Sequence, residues 1–170
     1  PNLIPEFERV IDESRPAWFI MENVPDAPEP IVSGYIVKSL LLDNRWLGEI
    51  QSRRRRFSFG TVNGVSLHPE LAPLESSQWE PVVCATASGR RVSVAIGGNG
   101  KRKRSKLPHE TTRPISVMCQ LQGLPKDFLD NTPFTLEGKR IMVGNGVPLP
   151  MGLAMAKAVK KAMYAEGAIN

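Results

Sequence analysis

This sequence is short of the residues that build disulfide frameworks, metal centres, membrane spans and stacking platforms. It has only two cysteines, Cys84 and Cys119. Their spacing fits neither a metal motif nor a disulfide framework, so a reducing, intracellular setting is expected. No apolar run reaches the roughly 20 residues that a membrane-spanning helix needs. Glu6, Glu8, Asp12 and Glu13 interrupt the first residues, which are therefore not expected to act as a signal peptide. Aromatic residues make up 6% of the chain, few for a sheet that stacks RNA bases; Trp46 and Trp79 are the main exposed candidates. Gly97-Gly98-Asn99-Gly100 has the wrong spacing for a dinucleotide fingerprint, and no helix with an apolar face follows it.

What is present is an ordinary globular composition, 41% hydrophobic and 23% charged, in a chain long enough to bury a core. The 15 prolines and 14 glycines imply many loops. Net charge is +5 and the isoelectric point about 9.5, a modest tilt toward polyanionic partners. The basic residues are clustered: Arg53 to Arg56 form one group. Arg90, Arg91, Lys101, Arg102, Lys103, Arg104 and Lys106 form another.

The first group opens the stretch Arg53-Arg-Arg-Arg-Phe57-Ser-Phe59, whose apolar alternation predicts a half-buried strand. If that strand starts early, Arg53 and Arg55 share one face and Arg54 and Arg56 the other. The run is either a solvated basic loop or a row of rigid donors for phosphates and a base carbonyl.

In chain order, Leu3, Ile4, Phe7, Val10 and Ile11 recur at helical spacing, and Pro16 should end that helix near Ser14-Arg15. Ala17 to Met21 is a continuous apolar run, read as a strand buried on both faces in a parallel sheet. Helix then strand is half of a βαβ unit. Glu22-Asn23-Val24-Pro25 follows, either a strand-ending turn or polar residues at the strand end where open α/β sheets bind ligands. Ser33 to Leu42 is a strand or a short helix, with β-branched and aromatic content favouring the strand. It and the arginine strand should form an antiparallel pair at the sheet edge.

From Asn63 to Thr112 helical periodicity is missing. Val82 to Ala85 and Arg91 to Ile96 are strand-like, and Gly97 to Gly100 open the run Lys101 to Lys106. This predicts an irregular β-containing insert whose basic loop is either disordered or placed for close approach to a ligand. Ser116 to Gln122 predicts a short helix. Phe128 and Leu129 are apolar anchors, Ile141 to Val143 is a short apolar run, and Met151 to Met163 predicts a helix rich in small residues.

Four segments, in order, resemble motifs of the DNA (cytosine-5) methyltransferases. Glu22-Asn23-Val24 resembles that family's Glu-Asn-Val. Gln51-Ser-Arg53-Arg-Arg55 is similar to its Gln-x-Arg-x-Arg. Arg113 to Phe128, with Leu121-Gln122-Gly123-Leu124-Pro125, resembles the segment after its target recognition region. Gly144-Asn145-Gly-Val147-Pro148 resembles its terminal Gly-Asn-x-Val-Pro. The resemblance spans about residues 3 to 163. The family's Phe-x-Gly-x-Gly cofactor loop and the Pro-Cys-Gln loop with its nucleophile are absent. Gly48-Glu49-Ile50 stands where Gly-Val-Pro is usual. Cys119-Gln120 lacks the nucleophile's context and reads as part of a helix.

The resemblance implies the C-terminal part of a Rossmann-like, S-adenosylmethionine-dependent methyltransferase fold with a small target recognition insert. Residues 1–62 would belong to the catalytic α/β domain, 63–112 to the recognition region, and 113–170 to the return of the catalytic domain and its closing helix. It further implies a flipped cytosine whose N3 is protonated or hydrogen-bonded by Glu22 and whose O2 is held by Arg55. Arg53 is counted with this catalytic pair and Gln51 with the DNA-contacting residues, the two serving nearby backbone and loop contacts. Gly144, Asn145 and Val147 would line the S-adenosylmethionine pocket. Lys101, Arg102, Lys103 and Arg104 are placed for phosphates of double-stranded DNA. The chain alone should be inactive and should need its missing N-terminal half, covalent or as a second chain, in a cytoplasmic, nucleoid-associated setting. The alternatives are a non-catalytic DNA-binding module that keeps the fold, and an RNA-binding domain.

Overall fold

The computed structural model describes residues 2–72, 94–96, 102–104 and 114–165. The chain divides into two compact units. Unit 1 comprises Pro1–Asp43, Arg54–Glu70 and Leu153–Asn170, and unit 2 comprises Asn44–Arg53 and Leu71–Gly152. This division cuts the arginine run between Arg53 and Arg54.

Unit 1 begins with helix α1 (Ile4–Ser14), which has proline in its first turn and buries Ile4 and Ile11. It stops at Arg15, held in the left-handed region at φ 46°, with its amide donating to Ile11 O at 2.9 Å. Three strands follow: β1 (Trp18–Asn23), β2 (Ile36–Asp43) and β3 (Arg54–Thr61). They form a sheet in the order β1-β3-β2 with both pairings antiparallel. The expected antiparallel pair of β2 and β3 is present. The expectation for β1 is corrected. Its described neighbour is antiparallel, and its burial alternates, with Phe19 and Met21 buried and Trp18 and Ile20 half-buried.

The physical reason lies in how the two faces are covered. Phe19 points to the α1 side, where Ile11, Phe19 and Val32 form a buried cluster with Phe7, Tyr35 and Val37 against it. The rings of Phe7 and Phe19 meet edge-on at 5.6 Å. Trp18 lies on the other face, 5.9 Å from Phe59, and keeps part of its surface exposed. Strand β3 runs from charge into core. Arg54 is exposed, Arg55 and Arg56 are half-buried, and Phe57 to Thr61 are buried. Gly60 faces Phe19 in register, and a methyl group there would stand 2.2 Å from Phe19 Cζ.

In unit 2 a single 3-10 turn (Asn44–Leu47) precedes the loop to Arg53. Strands β4 (Val94–Ile96) and β5 (Arg102–Arg104) pair antiparallel as a hairpin. Arg102, Lys103 and Arg104 therefore belong to a strand and not wholly to a loop, because the short apolar run Val94–Ile96 offers them a backbone ladder. Lys101, Val82 to Ala85, Cys84 and Trp79 lie outside the described residues. Helices α2 (Ile115–Leu121) and α3 (Leu136–Asn145) enclose a cluster of Met118, Cys119, Leu121, Leu129 and Val143. Of the two expected anchors, Leu129 is buried and Phe128 is exposed.

The sequence signals helix α3 only through the apolar run Ile141 to Val143. Its start has a recognisable device: Thr135 accepts a hydrogen bond from Gly138 N at 3.1 Å, and Glu137 stands in the first turn. Helix α4 (Leu149–Ala165) follows, with Met151, Met155, Ala158, Val159 and Met163 buried along one face.

The two glycines Gly60 and Gly152 give opposite expectations. Gly60→Ala overpacks the Phe19 contact and should lower the unfolding free energy by about 1–3 kcal/mol. Adding Phe19→Leu should recover part of that loss. Gly152, an exposed position in α4, has nothing within 4 Å of an added methyl group. Gly152→Ala should stabilise by about 0.5–1 kcal/mol. Urea unfolding of the three variants checks this, and equal effects at the two glycines would refute it.

Candidate active site

Strand pairing builds the first candidate site, within unit 1. Glu22 is opposite Phe57 in the β1–β3 register. Arg55 is two residues before Phe57, so it stands on the same sheet face as Glu22. Arg55 Nε lies 2.7 Å from Glu22 Oε1, with the side chains 17% and 28% exposed. A planar guanidinium thus holds one carboxylate oxygen at the end of β1. The next residue, Asn23, uses its Oδ1 to accept from Val24 N at 2.8 Å, which fixes the turn that ends the strand. An open cavity of about 450 Å³ lies alongside, lined by Leu3, Phe7, Met21, Glu22, Asn23 and Pro28 among others. Polar groups at one rim of an apolar cavity suit the edge of a planar, polar ring.

The second constellation lies within unit 2. Gln51, Arg53 and Gln122 are 0%, 3% and 2% exposed. Gln51 Nε2 donates to Leu121 O at 2.6 Å and to Gln122 Oε1 at 3.2 Å. Gln122 Nε2 donates to Val143 O at 2.6 Å and Gly146 O at 3.1 Å. Arg53 Nη2 donates to Gly144 O at 2.8 Å and Gly146 O at 2.9 Å. Leu149 N donates to Gln122 O at 2.8 Å. Gly123 completes the lock at φ 74°, where a side chain is strained and where a methyl group would stand 2.7 Å from Pro150 Cδ.

Gln51 and Arg53 make the backbone and loop contacts expected of them. Gln51, counted with the DNA-contacting residues, is fully buried and binds backbone. Arg53, counted with the catalytic pair, serves the loop carbonyls of Gly144 and Gly146. The cause is local: β3 starts at Arg54, so Arg53 does not share the strand alternation of Arg55. Arg54 is exposed, and Arg56 Nη1 lies 3.6 Å from Glu29 Oε1.

Of the expected cofactor residues, Asn145 is the last residue of α3 and is exposed, Val147 is 36% exposed, and Gly144 is buried with its carbonyl held by Arg53. Asn145 and Val147 therefore offer surface on one side of a site, while the Gly144 and Gly146 carbonyls are already engaged. Cys119 is 0% exposed, and burial, helped by the nearby Asp130 charge, pushes its thiol up, against a role as nucleophile. Burial also pushes the Glu49 carboxyl up, in the segment that departs from the family pattern. Among the described residues no group of three or more His, Cys, Asp or Glu could hold a metal ion, and no helix is long and apolar enough to cross a membrane.

No family model and no curated protein matches this sequence. Among solved structures, a methyltransferase of Entamoeba histolytica, EhMeth, is similar to it with a TM-score of 0.54 over 89% of this chain, at 13% identity. The chain spans 63% of that protein's length. At this identity the likeness concerns the fold, which is a mixed helix and strand architecture shared with part of a methyltransferase structure.

The buried lock and the Glu22–Arg55 pair should respond differently to mutation. Arg53→Met strands two carbonyls in a buried setting and should cost about 2–4 kcal/mol of unfolding free energy. Arg55→Met should cost only about 1 kcal/mol, because its ion pair is partly solvated. Denaturant midpoints of the two variants decide it. A larger loss at Arg55 would reverse the assignment of framework and site.

Proposed function

We propose that this chain is the C-terminal portion or subunit of a DNA (cytosine-5) methyltransferase. The observation that carries the reading is the Glu22–Arg55 pair, 2.7 Å apart at the end of β1, with Glu22 among the residues that line a cavity. The four motif resemblances and the likeness in fold to part of a methyltransferase structure support it. In this reading a cytosine leaves the duplex and enters the cavity beside Glu22. Glu22 hydrogen-bonds or protonates N3, which withdraws electrons from C6 and readies it for a thiolate. Arg55 donates to O2 and holds the Glu22 carboxylate in place. The thiolate belongs to the half of the enzyme not contained in this chain, so the chain alone is inactive. S-adenosylmethionine supplies the methyl group for C5 when bound. Asn145 and Val147 would form one wall of its pocket.

The rival is a non-catalytic DNA-binding module, in which Glu22 has no task. Glu22→Gln in the complete enzyme should reduce methyl transfer about 10²–10⁴-fold, the range for a lost general acid, and leave DNA affinity unchanged. Unaltered transfer removes Glu22 from the mechanism. The basic strand has a different expected role, holding phosphates. Replacing Lys101, Arg102, Lys103 and Arg104 by Gln should weaken binding to all DNA sequences alike. It should also lower the slope of log affinity against log salt by up to ~0.9 for each phosphate no longer neutralised. Affinity measured at several salt concentrations tests this. A loss confined to one DNA sequence would instead make these residues base readers.

A further inference from the structure

The cations of helix α1 are matched on its own surface. Arg9 pairs with Glu6 and Glu13, and Arg15 pairs with Asp12. Such pairs make a neutralised, solvated face. Helix α4 is the opposite case. From Leu149 to Ala165 it has no acidic residue. Lys157, Lys160, Lys161 and Tyr164 recur at steps of three and four, so they share one face, and all four are exposed. Nearby counter-charge is slight. Lys161 Nζ is 4.0 Å from Glu70 Oε1, with the side chains 76% and 88% exposed, and such a pair contributes little. Lys160 Nζ sits over the Tyr164 ring, 5.6 Å from its centroid.

The helix macrodipole does not account for these lysines. Its field is felt in the last turn, and no basic residue lies there. A lipid surface is disfavoured as well. A basic helix that lies on lipid inserts its apolar face. In α4 that face, with Met155, Ala158, Val159 and Met163, is already buried in the fold. What remains outside is a row of mobile ammonium groups beside an aromatic ring. Lys157 and Lys161 are one turn apart, about 6 Å along the helix axis. Phosphates of one duplex strand recur about every 3.4 Å along its axis, so a patch of this length spans about two of them. Lysine is a compact charge on a flexible stem, suited to phosphates and not to fixed, sequence-reading geometry.

We propose that the α4 face of Lys157, Lys160 and Lys161 is a further nucleic-acid contact, holding phosphates of duplex DNA without regard to sequence. It is separate from the recognition insert and from the Glu22–Arg55 pair. That the polyanion is DNA rests on the methyltransferase reading. That the face takes a polyanion rests on its unmatched charge.

The test measures the affinity of the complete protein for duplex DNA of arbitrary sequence at several salt concentrations. Lys157→Gln with Lys161→Gln should weaken binding about 3-fold or more at low salt and lower the slope of log affinity against log salt by up to ~0.9 for each phosphate lost. Arg9→Gln with Lys38→Gln removes the same net charge at exposed positions of α1 and β2 and should leave the slope unchanged. Lys157→Arg with Lys161→Arg keeps the charge and should keep the slope. Equal losses in the two Gln pairs reduce the effect to net charge and overturn the proposal, as does no loss in either. Lost binding to phosphatidylserine vesicles with DNA affinity intact overturns it in favour of a lipid surface. This face and the enzyme reading fail separately. A slope lowered by the α4 pair while Glu22→Gln leaves methyl transfer intact keeps the face and removes the reading. An unchanged slope with transfer lost in Glu22→Gln does the reverse.

Discussion

Unit 2 depends on one buried polar lock, the side chains of Gln51, Arg53 and Gln122. Between them they reach the carbonyls of Leu121, Val143, Gly144 and Gly146. The Arg53 to Gly146 contact spans 93 residues of sequence. Closing such a span is entropically unfavourable, though the penalty grows only slowly with length. What makes the lock strong is the cost of breaking it. Each buried carbonyl left without a donor costs about 1–3 kcal/mol, more than a typical hydrogen bond contributes when made. The apolar cluster around Met118 and Val143 gives unit 2 its bulk. The lock selects the register in which α2, α3 and the start of α4 meet.

The same arginine run serves unit 1 by a different device. Strand alternation puts Arg55 beside Glu22, on the sheet face that also carries Phe57 and Phe59. Four neighbouring arginines thus meet four environments: Arg53 on buried carbonyls, Arg54 in solvent, Arg55 on a half-buried carboxylate, and Arg56 near Glu29. A lysine could replace Arg54 with little loss. At Arg53 two carbonyls converge on a single guanidinium nitrogen, Nη2, of a side chain that is 3% exposed. Guanidinium is less strongly hydrated than ammonium, which favours it in such a site.

Legibility followed local physics. Helix α1 was readable because its apolar spacing and Pro16 agree. Strands β2 and β3 were readable from alternation and β-branched content. Helix α4 was readable from a long stripe of methionine and alanine. The direction of β1's neighbour was not, because an apolar run reports burial and not the sense of pairing. Helix α3 was hidden by a weakly amphipathic composition, with Gly138 and Gly144 inside it. Glu22 and Arg55 were legible as a pair through resemblance. Burial of Gln51 and Arg53 was not, since their partners are backbone carbonyls about 70 to 95 residues away, which no local pattern records.

That last difference bears on how a motif is read as chemistry. Within Gln51-Ser52-Arg53-Arg54-Arg55 the spacing invites one role for all the polar residues. The structure separates them at the start of β3. Before it, the side chains of Gln51 and Arg53 turn inward to backbone carbonyls and are almost wholly buried. After it, alternation brings Arg55 to the Glu22 carboxylate, and Glu22 lines a cavity. Membership of a motif therefore does not assign a residue to catalysis. Catalytic residues need a polar group facing a space that a substrate can enter, and in this motif Arg55 reaches a carboxylate, Glu22, that lines such a space, while Gln51 and Arg53 do not. The framework residues act at one remove, since the Gly144–Gly146 turn they hold carries Asn145, an exposed side chain on a backbone with little freedom to move.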